Sequence, residues 1–191
     1  MIIVKAYIVP EWLTLIGGLI IFQHQPKSEL KVLFGLRSAR VEAGKWCLPT
    51  GLGAIRRDIS VALSAKAPQS LENPEDIIRA MSERHQQAFQ SPAGFALAEA
   101  KWYVQIPVHI GIEQLVLLNP ICQLDGKSLL IKIYFGLEWL TDKPPRPAKT
   151  EWPFEKVKFF SKKELGGIPI AFGCDKDLDQ IFWRRFISEL N

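Results

Sequence analysis

Val32-Leu33-Phe34-Gly35-Leu36-Arg37, followed by Gly44-Lys45-Trp46-Cys47-Leu48-Pro49-Thr50-Gly51, is the stretch on which the reading of this chain turns. Its first part is an aliphatic and aromatic run closed by a cation, the pattern of a buried strand that surfaces at its end. Lys31 extends that strand backwards to give Lys31 to Arg37. A loop follows, Trp46 to Leu48 forms a second short strand, and Pro49-Thr50-Gly51 turns the chain, because proline fixes φ and glycine tolerates conformations closed to other residues.

Working outward, runs rich in β-branched and aliphatic residues predict further strands at Ile2 to Val9 and Leu15 to Gln23. His24 to Glu29, with Pro26 and Ser28, reads as the solvated connection into the quoted strand. Asn73-Pro74-Glu75-Asp76 has the form of a helix start, with an Asn cap, proline in the first helical position and acids in the first turn. Ile77, Ile78, Met81, Ala88 and Phe89 recur at helical spacing behind it, so a helix is expected from about Pro74 to Gln90. Phe95 to Gln105 and Val108 to Ile110 read as strands, and Ile121 to Leu124 with Leu129 to Leu137 as a hairpin around Asp125-Gly126-Lys127. After a proline-rich loop, Thr141 to Pro153, the chain offers a strand at Val157 to Phe160, a Ser161 cap and a short helix. It ends in an amphipathic helix, Lys176 to Leu190. Strands and helices mix without βαβ alternation, which points to an α+β sandwich.

With 191 residues, 48% apolar and 23% charged, the chain has the composition of one globular domain rather than a disordered tail. A net charge of +4 suits anionic partners, yet the cations fall in small clusters, Arg56-Arg57, Lys143 to Lys149 and Arg184-Arg185, not in a nucleic-acid arm. Cys47, Cys122 and Cys174 are too few and too scattered for a disulfide framework or zinc knuckle, so buried thiols in a reducing, cytoplasmic setting are expected. The apolar stretch Leu13 to Phe22 is short and broken by Gly17-Gly18, which fits buried strands better than a membrane span.

The order of apolar strand, Arg37, loop and Gly-Lys-Trp-x-Leu-Pro-x-Gly resembles the opening of the Nudix hydrolase superfamily. The resemblance covers the chain from about Leu15 to the terminal helix, with its specific part in residues 31 to 51. It implies an α/β/α sandwich around a mixed β-sheet and a single Nudix-like domain over 1–191, with an insertion at about 52–71. The function implied is ancestral metal-dependent hydrolysis of a nucleoside diphosphate derivative. The family box, Gly-x5-Glu-x7-Arg-Glu-U-x-Glu-Glu-x-Gly-U with U a bulky aliphatic, gathers glutamates at helical spacing around magnesium or manganese.

Counted from Gly51, the box would place Glu at Arg57 and Arg-Glu at Ala65-Lys66, and neither fits. Placed on the predicted helix, Arg79-Ala80-Met81-Ser82-Glu83-Arg84 keeps the Arg, the apolar residue and one Glu, and replaces a ligand carboxylate by Arg84. A guanidinium repels a dication and meets a phosphate directly through its planar donor fork. The resemblance thus makes Glu83 and Arg79 the catalytic candidates, Glu83 the metal candidate, and Arg37, Gly51, Arg84 and Glu155 the substrate-binding candidates. Magnesium or manganese is implied only for an active enzyme. The implied partner is a nucleotide-like small molecule, with a second copy of the chain as another; no membrane and no nucleic acid is indicated.

Other readings stay open beside these. Glu75, Arg79 and Glu83 at four-residue spacing also describe a solvated ion-pair stripe, and His85 an ordinary surface histidine. Trp46, Phe135 and Trp139 read as core, and Pro144 to Lys149 as either a cleft border or a spacer. With most box carboxylates lost, a non-catalytic nucleotide-binding or regulatory module, or a structural dimerisation domain, stands as the alternative to an enzyme.

Overall fold

The computed structural model describes residues 12–24, 29–38, 42–55, 91–125, 128–150 and 154–184. The expected strand at Ile2 to Val9 and helix at Pro74 to Gln90 lie outside them, as do His85 and the proposed insertion beyond Ile55. The described strands are β1 (Trp12–Gln23), β2 (Lys31–Arg37), β3 (Trp46–Cys47), β4 (Thr50–Ile55), β5 (Val116–Leu117), β6 (Ile121–Asp125), β7 (Ser128–Glu138) and β8 (Phe154–Ser161), joined in one mixed sheet. The helices are α1 (Pro92–Tyr103), α2 (Lys162–Leu165) and α3 (Cys174–Leu178), the last continuing as a π-helical turn, Asp179–Trp183.

β1 organises the sheet. It runs parallel to β7 over its whole length, Trp12 opposite Ser128 and Phe22 opposite Glu138. Its other edge is shared, first by β4, antiparallel with Gly17 opposite Gly51, then by β2, with Phe22 opposite Val32. β2 in turn carries β3 and β8, and β7 carries β5 and β6. Leu19, Ile20 and Ile21 are all fully buried, so β1 is covered on both faces, as successive residues of a strand point to opposite sides.

Each face has its own cover. A side chain at Gly17 would collide with the Phe95 ring of α1, so α1 packs closely on that face. Phe22, of the opposite parity, meets Phe182 with ring centroids 5.3 Å apart, which seats the C-terminal helical segment on the other face. Helix, mixed sheet and helix therefore form the expected α/β/α sandwich.

β2 has the predicted bounds, and β1, β3, the β6–β7 hairpin and the strand–cap–helix at Ser161 also form where the sequence puts them. Ser161 accepts from the Glu164 amide at 3.3 Å while Glu164 accepts from the Ser161 amide at 2.8 Å, a reciprocal capping box. Two strand expectations are corrected. Phe95 to Tyr103 is helical, because Ser91 caps it, Pro92 occupies the first turn and the run up to Val104 has alanines and no β-branched residue. Val108 to Ile110 is a turn after Pro107, with Val108 96% exposed and the Ile110 amide donating to the Pro107 carbonyl. Cys47 and Cys174 are buried as expected, whereas Cys122 on β6 is exposed. Phe135 and Trp139 belong to the core, and Trp46 packs half-buried against it. No described helix is long and apolar enough to cross a membrane.

Candidate functional site

Between the sheet and α3 lies a cavity of about 340 Å³, into which Ile16, Arg37, Thr50, Gly51, Tyr103, Lys132, Tyr134, Phe172, Cys174 and Asp177 project from six separate parts of the chain. The register explains the gathering. Ile16 pairs with Lys132 and Gly18 with Tyr134, so these residues share one face of neighbouring strands. Gly18 leaves room there, since a side chain on it would strike Thr50 and the Tyr134 ring.

The floor is an ion pair with a phenol. Lys132 Nζ donates to both carboxylate oxygens of Asp177 at 2.8 and 2.9 Å, and Tyr134 Oη donates to Asp177 Oδ2 at 2.7 Å. The lysine and aspartate side chains are 13% and 10% exposed, so removing one partner would leave an unpaired buried charge, which costs far more than losing a surface bridge. Burial, reinforced by the nearby thiol and carboxylate, pushes the Tyr134 phenol well above its ordinary range and keeps it a hydrogen-bond donor.

The rim is set by Arg37, where β2 ends. The Gly44 amide donates to its carbonyl and its own amide donates to Lys45, both at 3.0 Å, closing the β2–β3 connection. Its Nη1 lies 3.8 Å from Cys47 Sγ, and its guanidinium carbon sits 4.8 Å from the centroid of the Phe172 ring. Burial raises the Cys47 thiol pKa despite the Arg37 charge, and burial likewise pushes Cys174 up to about 12. Both stay neutral and inert near neutral pH.

Two sequence-predicted residues, Arg37 and Gly51, therefore meet at one cavity. Glu155 does not join them: it is exposed on β8 and does not line the cavity. Arg79, Glu83 and Arg84 lie outside the described residues. Pro144 and Pro145 border a different depression, with His24, Trp139 and Phe159. Lys132, Tyr134, Phe172 and Asp177 escaped the sequence reading, as did Glu99 on α1, whose carboxyl occupies the space a side chain at Gly51 would need.

The described residues fit a divalent cation poorly. No group of three His, Cys, Asp or Glu side chains comes together among them. Asp177, the carboxylate lining the cavity, already has both oxygens engaged by Lys132 and Tyr134. A hard cation needs several oxygen ligands, and an ammonium ion beside the same oxygens opposes it.

Among solved structures the chain is similar to the NUDIX domain of Shewanella oneidensis NrtR, determined with ADP ribose. The match covers 95% of this chain and 89% of that one, at 15% identity and a TM-score of 0.51. It is also similar to RenU, a Nudix hydrolase from M. smegmatis, over 98% of each chain, at 14% identity and a TM-score of 0.52. No family model matches the sequence, and no curated protein matches it. The shared feature is the fold, and the chain has the Nudix fold.

Proposed function

We propose that this Nudix-fold chain binds a nucleoside diphosphate derivative in the cavity between the sheet and α3, and that binding has replaced the metal-dependent hydrolysis ancestral to the fold. The observation that carries this reading is what α1 brings to Gly51, which sits at the start of β4 and not in the turn expected from Pro49-Thr50-Gly51. Laid on α1, the box would run through Ala98-Glu99-Ala100-Lys101-Trp102-Tyr103. Glu99, pressed against Gly51, matches the glutamate that follows the box Arg, while Trp102 and Tyr103 fill the places of the next two. In this reading Glu99, not Glu83, is the remnant of the box. One helix carboxylate does not assemble a magnesium site, and Tyr103 turns its place into cavity wall.

What remains suits an anion joined to an organic group. Arg37 supplies a planar donor fork at the rim, the Lys132–Asp177 pair makes the floor charge-neutral, and Phe172, Tyr103 and Ile16 give apolar walls. The S. oneidensis neighbour, determined with ADP ribose, makes that molecule a sensible first probe. Calorimetric titration with ADP-ribose is expected to show binding that survives EDTA, and a panel of ADP-ribose, dinucleoside polyphosphates and nucleotide sugars with magnesium or manganese is expected to release no product. Metal-dependent turnover that is lost in Glu99→Gln would overturn the proposal and restore the enzyme reading.

A further inference from the structure

Phe172 is a bulky residue in a backbone conformation that bulky residues avoid. Its φ is +56°, in the left-handed region, and Gly173 follows at +67°. For a side chain with a Cβ this region is disfavoured, and glycine would take it without cost, as position 173 shows. Burial does not compensate the strain, since Phe172 is 53% exposed. Its ring lines the cavity instead and lies under the Arg37 guanidinium.

The corner is also held from both sides. The Trp46 amide donates to the Pro169 carbonyl at 2.9 Å and the Ala171 amide to the Trp46 carbonyl at 2.8 Å, tying the approach to β3. The Lys176 and Asp177 amides both donate to the Gly173 carbonyl, and Asp177 is fixed to Lys132 and Tyr134. A strained, exposed aromatic, clamped in place at a cavity mouth and paired with a guanidinium, is the arrangement expected where strain is kept for recognition.

We infer that Phe172 is a stacking platform for the aromatic base of the ligand, so that the cavity selects nucleotides over phosphate compounds lacking a heterocycle. This rests on the nucleotide reading of the cavity. A base offers a flat π face to the side of the half-exposed ring that Arg37 does not cover, and the guanidinium over the other face is the group that would meet the phosphate of the same molecule.

The test is calorimetric titration of the wild type, Phe172→Gly and Phe172→Trp with ADP and with inorganic pyrophosphate, alongside their melting temperatures. Phe172→Gly is expected to bind ADP about tenfold or more weakly, to bind pyrophosphate as the wild type does, and to melt no lower, because glycine relieves the left-handed strain. Phe172→Trp is expected to keep ADP affinity and to gain an indole signal quenched by ADP and not by pyrophosphate. An ADP affinity in Phe172→Gly within twofold of wild type overturns the inference and leaves the nucleotide reading standing. Equal losses for ADP and pyrophosphate overturn it too, making Phe172 a positioning residue for Arg37. A wild type that binds neither probe removes the nucleotide reading and this inference with it.

Discussion

Asp177 accepts hydrogen bonds from Lys132 and Tyr134 in a setting almost closed to water, and its energetics depend on which partner is lost. Lys132→Met leaves a buried carboxylate with the phenol alone, and is expected to cost about 3 kcal/mol in urea denaturation. Removing the whole polar group in Lys132→Met, Tyr134→Phe and Asp177→Leu together is expected to recover most of that loss, since no buried donor or charge then stays unpaired. The thiols separate by burial in the same way. In the native protein iodoacetamide is expected to label Cys122 and spare Cys47 and Cys174, with all of them labelled in denaturant, as read by intact mass. Because the folded pKa of Cys174 is raised from 9.0 to about 12, chiefly by burial, its contribution to stability is intact below about pH 9 and declines as pH rises toward 12. The stability difference between wild type and Cys174→Ala is therefore expected to shrink above about pH 9 in denaturation curves.

At the scale of elements, the close approach of α1 to the β1–β4 pair depends on Gly17 and Gly51, which face each other across the ladder. A methyl at Gly51 meets the Glu99 carboxyl and one at Gly17 meets the Phe95 ring. Gly17→Ala, striking a ring, is expected to cost about 1–3 kcal/mol, and Gly51→Ala less, since a longer side chain yields more easily. The difference is readable in denaturation midpoints. α1 is also where the sequence misleads most. Phe95-Ala96-Leu97 is a short apolar run, and periodicity alone does not tell a buried strand from a helix turn in such a run. The deciding signal was present upstream: Ser91-Pro92 starts α1 with the same cap-and-proline logic that Asn73-Pro74 suggests. β2, by contrast, was legible to the residue, because its apolar stretch is continuous and its ends are charged.

At the scale of the molecule, Arg37 and Gly51 could be found because they belong to one local motif, whereas Lys132, Tyr134, Phe172 and Asp177 become neighbours through topology alone. The parallel β1–β7 ladder sets Lys132 and Tyr134 beside Ile16 and Gly18, a pairing no spacing in the sequence announces. The cavity they line draws on β1, β2, β4, β7, α1 and the start of α3, so a ligand that fills it braces both outer layers against the sheet. Such a ligand binds the folded chain and has no site on the unfolded one, so it must raise the melting temperature by mass action. At a hundredfold excess over Kd the gain is about 2.7 kcal/mol, which for a chain of this size is a shift of roughly 5–10 °C. If Arg37 supplies the positive charge, ADP-ribose is expected to give the same shift in EDTA as in magnesium, and high salt to reduce it through screening. A shift that vanishes in EDTA and returns with magnesium would mean that carboxylates elsewhere in the chain complete a metal site with Glu99, and the binding would then have to be rederived around that metal.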